Sequence, residues 1–312
     1  MLLVVKSGGQ EAMPEWQSLY RALLPELEVV GWDDPALDPA RVEYAMVWEP
    51  TPGRLAQFPA LRVIMSSAAG VDHITRDPSV PAHLPITRMV TPETEERMAD
   101  FVTAASYGIV RDFPMLREAQ KERRWDESIV GRRASETTVA ILGLGNLGAA
   151  CARRLAANGF RVKGWARTHK QIERCESFAG DERLGECVSD AHIVVNLLPD
   201  TAATRGLIGN RFLEALPRGA SLINVGRAPQ VDLRAVVESL DTGHLRSAFI
   251  DVFDSEPLSP DDQMWNHPKL WVSSHIASAV SRKSKARQIV KNILADRSGQ
   301  PLEHVYTANL GY

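Results

Sequence analysis

Several features that mark whole classes of proteins are scarce in this sequence. Its 312 residues include only 3 cysteines, and Cys151, Cys175 and Cys187 have neither metal-ligand nor redox-motif spacing. A sparse, odd set of cysteines is typical of a reducing compartment, so we expect a cytoplasmic protein without a metal site. No apolar run approaches the roughly 18 residues of a membrane span. Residues 1–5 are apolar but lack the basic flank of a signal peptide.

An excess of charge of either sign is also missing. The 36 Lys and Arg residues nearly balance the 39 Asp and Glu residues, which leaves a net charge of −3. The charged stretch 121–133 lacks the repeated aromatic residues that stack on bases, so it predicts a solvated connector. We therefore expect neither a nucleic-acid partner nor a membrane partner.

Short apolar runs alternate with helix-length segments along the chain, which predicts parallel α/β structure. A helical apolar pattern over 95–122, with Pro114 as a break, separates two series of predicted strands. A helix is also predicted over 282–294. The first series of strands lies at 2–5, 28–30, 44–47, 63–65 and 86–88, and the second at 138–142, 161–165, 193–197, 221–225, 248–252 and 270–273.

A glycine motif follows the first strand of the second series. Gly143, Gly145 and Gly148 form G-x-G-x-x-G between that strand and a helix, with Asn146 and Leu147 inside the motif. The first glycine permits a tight turn, the second allows the backbone to approach a pyrophosphate, and the third allows close packing of helix and strand. In this context the motif predicts a dinucleotide site.

The end of the next strand indicates which dinucleotide is bound. An acidic residue that would bind a ribose 2′-hydroxyl is missing there, and Arg167, Thr168 and Lys170 are present instead. A guanidinium and a hydroxyl suit a 2′-phosphate, so we expect NADPH to be preferred, with NADH still possible. The alternative is that Arg167 and Lys170 are solvent-facing loop charges.

Arg227, Glu256 and His275 each follow one of the last three predicted strands. The carboxyl ends of parallel strands meet at one edge of a sheet, so these side chains are expected to converge near the nucleotide. A cation, a carboxylate and an imidazole can hold an anion, polarise its carbonyl and transfer one proton. Taken singly, each residue has a structural alternative, namely an ion pair for Arg227 or Glu256 and a core contact for His275.

The chain resembles the D-2-hydroxyacid dehydrogenase family over essentially its full length, and within it the glyoxylate/hydroxypyruvate reductase A branch. The resemblance rests on motifs that include Asn224-Val-Gly-Arg227, Asp251-Val-Phe-Asp-Ser-Glu-Pro257 and Ser274-His275. Ser274 replaces the usual proline and Ala228 the usual glycine. The resemblance implies that Arg227 binds the substrate carboxylate and carbonyl. It also implies that His275 is the acid/base and that Glu256 orients His275 and favours its protonated form.

The resemblance also implies the fold, the partners and the wider site. We expect two Rossmann-like domains: an NAD(P)-binding domain with a doubly wound parallel sheet at 99–283, and a smaller flavodoxin-like substrate domain at 1–98 plus 284–312. We also expect a homodimer through the 95–122 region. The substrate would contact Trp48, Ala69, Gly70, Val71, Arg227 and His275. The cofactor would also contact Leu198, Pro199, Thr204, Val225, Gly226, Arg227, Asp251, His275 and Ala277, with Asp251 on the nicotinamide carboxamide.

The expected reaction is NADPH-dependent reduction of glyoxylate or hydroxypyruvate to the 2-hydroxy acid, glycolate or glycerate. Two alternatives stay open. One is a dehydrogenase of the same family for another 2-oxo acid, formate or phosphite. The other is a nicotinamide-sensing regulator, which the intact Arg227, Glu256 and His275 triplet and the lack of added interaction segments disfavour.

Overall fold

The computed structural model describes residues 1–308. The chain divides into two compact units. Unit 1 comprises Met1–Thr94 and the segment that begins at Val280, and unit 2 comprises Glu95–Ala279. The chain thus leaves unit 1 after residue 94, against 98 in the sequence prediction, and leaves unit 2 after residue 279, against 283.

Residues 1–308 contain twelve strands and nine α-helices. The strands are β1 Leu2–Lys6, β2 Glu28–Gly31, β3 Tyr44–Val47, β4 Val63–Ser66, β5 Ile86–Thr87, β6 Thr138–Leu142, β7 Arg161–Ala166, β8 Cys175–Ala179, β9 Ile193–Asn196, β10 Ala220–Asn224, β11 Leu245–Ile250 and β12 Leu270–Val272. The helices are α1 Met13–Leu23, α2 Asp72–Thr75, α3 Pro92–Val110, α4 Phe113–Lys121, α5 Asn146–Ala157, α6 Leu184–Val188, α7 Asn210–Glu214, α8 Leu233–Asp241 and α9 Arg282–Arg297.

Each unit is built on one parallel sheet. Unit 1 has the order β2-β1-β3-β4-β5, which is the flavodoxin-like arrangement. Unit 2 has the order β12-β11-β10-β9-β6-β7-β8. It runs outward in both directions from β6 and β9, as a doubly wound nucleotide-binding sheet does. The predicted fold class is confirmed.

Alternate residues of the unit 2 strands pack on opposite faces of the sheet. Ala140 and Leu142 belong to one apolar cluster, whereas Val139 and Ile141 belong to the other. Successive side chains on a strand point to opposite faces, so a strand buried on both faces reads as a continuous apolar run. This explains why β6, β9 and β10 were visible in the sequence.

Two elements of unit 2 differ from the prediction. The sequence indicated six strands, but the sheet has seven, because β8 was missed. Only Phe178 is buried in this edge strand, so it carries no apolar run. The 95–122 helix is two helices. The break lies at Asp112, whose backbone is left-handed with φ 53°, and Pro114 lies in the first turn of α4, where proline is tolerated.

A partly buried carboxylate links α9 to the sheet of unit 1. Asp296 Oδ2 accepts hydrogen bonds from the Tyr44 hydroxyl and from Arg62 Nε, each at 2.7 Å. Burial acts to raise the pKa of Asp296, but the bonds from Arg62 and Tyr44 outweigh it, and the net pKa lies below the usual range of an aspartate. The ionised form of Asp296 therefore stabilises this unit.

No helix within residues 1–308 is long and apolar enough to cross a membrane.

Candidate active site

The glycine motif lies where the strand order of unit 2 reverses. β6 and β9 are neighbours in the sheet, yet the chain moves away from them in opposite directions, and such a switch point is where doubly wound sheets bind ligands. Gly143 follows β6 with φ 101°, and a Cβ there would lie 2.7 Å from the Leu197 carbonyl oxygen. Only glycine fits this turn without displacing the chain after β9.

The other two glycines of the motif face different surroundings. A Cβ on Gly148 would lie 1.8 Å from the Gly143 carbonyl oxygen, whereas a Cβ on Gly145 would meet no atom within 4 Å. Gly148 is thus required for packing within the protein, and Gly145 leaves open space at the start of α5. Open space beside a helix N-terminus is what an approaching pyrophosphate needs. The motif therefore fits a dinucleotide, with Asn146 and Leu147 in the first turn of α5.

The residues predicted to bind the 2′-phosphate of the cofactor ribose follow β7. This strand ends at Ala166, and Arg167, Thr168 and Lys170 lie in the exposed loop beyond it. The Lys170 amide donates to Ser177 Oγ at 3.1 Å, which anchors the loop to β8. The missed edge strand thus supports the loop that carries the predicted 2′-phosphate ligands.

A buried amide network connects the loops after β9 and β10. Gln230 is fully buried. Its Nε2 donates to the carbonyls of Leu198 and Pro199 at 2.8 and 2.7 Å, and its Oε1 accepts from the Arg227 amide at 3.1 Å. The backbone of the predicted catalytic arginine is therefore tied to the predicted cofactor loop. The Thr204 hydroxyl donates to the Pro199 carbonyl at 2.6 Å and braces the same loop.

Gln230 was missed in the sequence. It lies in a short helical turn three residues after Arg227, where nothing in local pattern distinguishes it from a surface glutamine. Its partner Asn196, which ends β9, donates to Gln230 Oε1 at 2.6 Å. Asn196 is polar in the otherwise apolar run 193–197, and a buried amide requires a hydrogen-bond partner. This was the sequence signal that a polar partner lies nearby.

His275 and Glu256 are in direct contact. His275 Nδ1 lies 2.8 Å from Glu256 Oε2, and Glu256 Oε1 accepts from the Phe253 amide at 2.9 Å. The His275 side chain is 29% exposed and the Glu256 side chain 34% exposed, so the pair is partly open to solvent. The glutamate is held by its own loop and in turn holds the imidazole through one ring nitrogen, as an orienting carboxylate does.

Asp251 organises the loop that carries His275. Its side chain is buried and accepts from Ser273 Oγ at 2.6 Å and from the Ile276 and Ala277 amides at 3.0 Å each. The His275 amide donates to the Asp251 carbonyl at 2.8 Å. His275 itself is left-handed, with φ 55°, a conformation that costs on the order of 1 kcal/mol or more in a non-glycine residue. These bonds hold it there.

Arg227 follows β10, at the same edge of the sheet as the histidine. β10 and β12 both pair with β11 in parallel, so the chain leaves all three strands at one edge. Arg227 Nη1 donates to the Gly226 carbonyl at 2.8 Å, and Val225 and Gly226 connect the strand to it. In the predicted triplet, Glu256 and His275 are hydrogen-bonded to each other. Arg227 follows β10, which pairs with β11, the strand that precedes Glu256.

The predicted substrate residues outside unit 2 lie in unit 1. The Trp48 ring follows β3 and packs on His73 with centroids 4.5 Å apart. Ala69, Gly70 and Val71 form the loop between β4 and α2. Like Arg227 in unit 2, they follow the carboxyl ends of parallel strands, within the sheet of their own unit.

The three cysteines do not lie in surroundings that favour a reactive thiolate. Burial raises the pKa of Cys151 and of Cys187 to about 12. Burial, and after it the charge of Glu176, raises the pKa of Cys175 to about 11. A reactive thiolate needs the opposite shift.

The fold and the glycine loop define a dinucleotide-binding domain of the doubly wound type. The family model for "D-isomer specific 2-hydroxyacid dehydrogenase, NAD binding domain" matches residues 103–277. The chain belongs to this family, as its motifs predicted.

Relatives and solved structures agree with this family over nearly the whole chain. "Glyoxylate/hydroxypyruvate reductase A" of Serratia proteamaculans (strain 568) is 31% identical over 303 residues, 96% of each chain. A D-isomer specific 2-hydroxyacid dehydrogenase from Xanthobacter autotrophicus Py2, solved with NADPH and MES, has a TM-score of 0.94 and 38% identity and covers 100% of this chain and 99% of its own. An NADPH-dependent glyoxylate/hydroxypyruvate reductase from Sinorhizobium meliloti, solved with NADP and sulfate, has a TM-score of 0.92 and 32% identity with the same coverage.

Proposed function

We propose that this chain reduces a short 2-oxo acid, such as glyoxylate or hydroxypyruvate, to the 2-hydroxy acid with NADPH. The observation that carries the proposal is the 2.8 Å contact between His275 Nδ1 and Glu256 Oε2. It lies at the edge of a nucleotide-binding sheet where Arg227 is also found. Relatives named for glyoxylate and hydroxypyruvate support the substrate class.

NADPH is the proposed cofactor because of the loop after β7. That loop holds no acidic residue between Arg167 and Lys170, so nothing in this stretch repels a 2′-phosphate, and the guanidinium of Arg167 can bind one in a fork. Three similar structures were solved with NADPH or NADP. When bound, the nicotinamide supplies the hydride that reaches the carbonyl carbon of the substrate.

His275 delivers the proton that balances this hydride. Glu256 holds Nδ1, so the proton leaves from Nε2 on the opposite side of the ring and goes to the carbonyl oxygen. The nearby carboxylate stabilises the imidazolium before transfer. Arg227 is fixed in charge, and it binds the substrate carboxylate and the oxygen on which negative charge develops. Asp251 keeps the histidine loop in place.

The remaining roles stay proposals for the same reaction. Trp48 would cap the substrate, and the amides of Ala69, Gly70 and Val71 would bind its carboxylate, as converging N–H groups bind anions. A homodimer through the 95–122 region is proposed on the family resemblance alone.

A steady-state screen tests the substrate. The purified protein is assayed for NADPH oxidation at 340 nm with glyoxylate, hydroxypyruvate, pyruvate and phenylpyruvate, and for NADP reduction with formate and phosphite. We expect the highest kcat/KM for glyoxylate or hydroxypyruvate. Preferred turnover of phenylpyruvate, formate or phosphite would reassign the substrate, and NADPH binding without any turnover would favour a nicotinamide-sensing regulator.

His275→Asn tests the acid/base. Asparagine tolerates the left-handed backbone of this position, so the loop is retained while the proton donor is lost. Positioned proton transfer contributes about 10²- to 10⁴-fold, and we expect kcat to fall by at least 10²-fold in a variant that still binds NADPH. His83→Asn, at an exposed loop position, is the control. Near-normal turnover of the His275 variant would refute the assignment.

Arg167→Asp tests the cofactor preference. We expect the Kd for NADPH to rise at least tenfold and the Kd for NADH to stay the same or fall, because a carboxylate here repels a 2′-phosphate and can bind a 2′-hydroxyl. Arg174→Asp makes the same change of charge at an exposed position in the same loop and should leave both constants near those of the wild type. Equal NADPH binding by the Arg167 variant and the wild type would show that Arg167 is a solvent-facing charge.

A further inference from the structure

A buried serine organises the loop that follows β4. Ser66 is the last residue of β4 and is almost fully buried. Its Oγ lies 2.8 Å from the carbonyl oxygens of both Ala68 and Gly70, and it accepts from the Ala68 amide at 3.0 Å. A hydroxyl has one hydrogen, so the two carbonyls share it. One side chain thus gathers two carbonyl groups of the loop on the same side.

The carbonyl between these two is held by an arginine. Arg88, just past β5, donates from Nε to the Ala69 carbonyl oxygen at 2.9 Å. The amide of Met89 donates to the Ala68 carbonyl at 2.9 Å. All three consecutive carbonyls, of residues 68, 69 and 70, are therefore bound by groups of unit 1 itself.

Holding three carbonyls determines where three amide groups point. In a trans peptide, the carbonyl of one residue and the N–H of the next lie in one plane and point in opposite directions. Fixing the carbonyls of residues 68, 69 and 70 therefore directs the N–H groups of Ala69, Gly70 and Val71 away from Ser66 and Arg88. These are the three amides assigned to the substrate carboxylate.

We propose that Ser66 and Arg88 are positioning residues that preorganise the Ala69-Gly70-Val71 amides for an anionic carboxylate. The inference rests on the proposed function. It adds that Ser66 and Arg88, acting through the backbone, make the site bind a 2-oxo acid more tightly than its uncharged ester. Ser66 also lies 3.4 Å from His73 Nε2, and His73 packs on Trp48. The Ser66 hydroxyl thus connects the loop after β4, through His73, to Trp48, which is proposed to cap the substrate.

Ser66→Ala tests the first of these residues, with Ser67→Ala as its matched control. Ser67 is adjacent and also buried, and its hydroxyl makes no hydrogen bond within residues 1–308. We measure kcat and KM for glyoxylate and for its methyl ester, the NADPH Kd by fluorescence, and Tm. Misplaced binding groups cost up to about 10²-fold, so we expect the glyoxylate KM to rise tenfold or more. The ester, the NADPH Kd and the Ser67 variant should change by less than about threefold.

Arg88→Lys tests the second residue, because lysine retains the positive charge but cannot place a donor at the Nε position. We expect the same selective rise in the glyoxylate KM. Equal losses for the acid and the ester would mean that the variants only loosen the fold, and the inference would be overturned. An unchanged KM for glyoxylate in both variants would overturn it as well, with the proposed function intact. If the wild type turns over no 2-oxo acid at all, the proposed function fails, and this inference fails with it.

Discussion

Gly145→Ala and Gly148→Ala are the same chemical change three residues apart in one motif, yet the structure predicts different losses. Alanine at position 145 meets no atom within 4 Å, and the backbone there, with φ −74° and ψ −164°, is accessible to any residue. Alanine at position 148 places its Cβ 1.8 Å from the Gly143 carbonyl oxygen. The first variant should lose cofactor binding and the second should lose stability.

The size of each effect follows from these distances. Ordinary contact of a Cβ begins near 3.4 Å, so α5 and the loop after β6 must separate by more than 1 Å to admit a methyl group at position 148. Overpacking of this kind costs roughly 1–3 kcal/mol, and each kcal/mol shifts the Tm of a unit of this size by about 2–4 °C. We expect Gly148→Ala to melt about 2–12 °C below the wild type, and Gly145→Ala to melt within about 1 °C of it.

Two measurements on each variant separate the effects. Thermal unfolding without cofactor gives the Tm, and titration of NADPH fluorescence gives the Kd. The methyl group that Gly145→Ala adds occupies the space where the pyrophosphate approaches the backbone, so the Kd of that variant should rise at least tenfold. Wild-type NADPH affinity in Gly145→Ala, or wild-type Tm in Gly148→Ala, would refute the division of roles within the motif.

Three further outcomes are expected. Glu256→Gln keeps a hydrogen-bonding group of the same shape but removes the negative charge beside the imidazolium, so kcat/KM should fall at least about tenfold while the NADPH Kd stays constant; a wild-type rate would show that the carboxylate charge is not needed. The pKa of Asp296 is lowered in the folded chain, so its stabilisation is full above the unfolded pKa and is lost as pH falls through the folded one. The free energy of unfolding, measured with urea, should thus fall less steeply with pH below about pH 5 in Asp296→Asn than in the wild type. Equal dependence on pH in the two proteins would contradict this. Because burial raises the pKa of Cys151 and Cys187 to about 12, both thiols should react with a disulfide reagent at pH 8 only after unfolding, and rapid labelling of either in the native protein would contradict the structure.

The sequence was most informative where strands are buried on both faces. The predictions at 44–47 and 138–142 match β3 and β6 to the residue, because an apolar run bounded by polar residues is a strong signal. β11 was less exact. It begins at Leu245, three residues before the predicted start at 248, because exposed Arg246 interrupts the apolar pattern. β8 was invisible for the same physical reason, since an edge strand buries few side chains.

Within the site, the residue types with distinctive chemistry were predictable and their supports were not. Glu256 and His275 were expected to interact and do so. Gln230 and Ser66 were not singled out, because their importance depends on which backbone groups of distant loops lie beside them. A local pattern carries no record of such contacts. The assigned roles of the site residues stay predictions until the variants above are measured.

The network around Asp251 has a consequence for how substrate preference can change in evolution. The Asp251 carboxylate accepts from the two amides that follow His275, and the His275 amide donates to the Asp251 carbonyl. Gln230 accepts from the Arg227 amide. Neither support depends on the identity of the side chains that would line a substrate pocket. Those lining side chains are therefore free to vary without disturbing the backbones of His275 and Arg227. The backbone support of His275 and Arg227 can thus stay constant in evolution while the pocket-lining side chains, and with them the substrate preference, change.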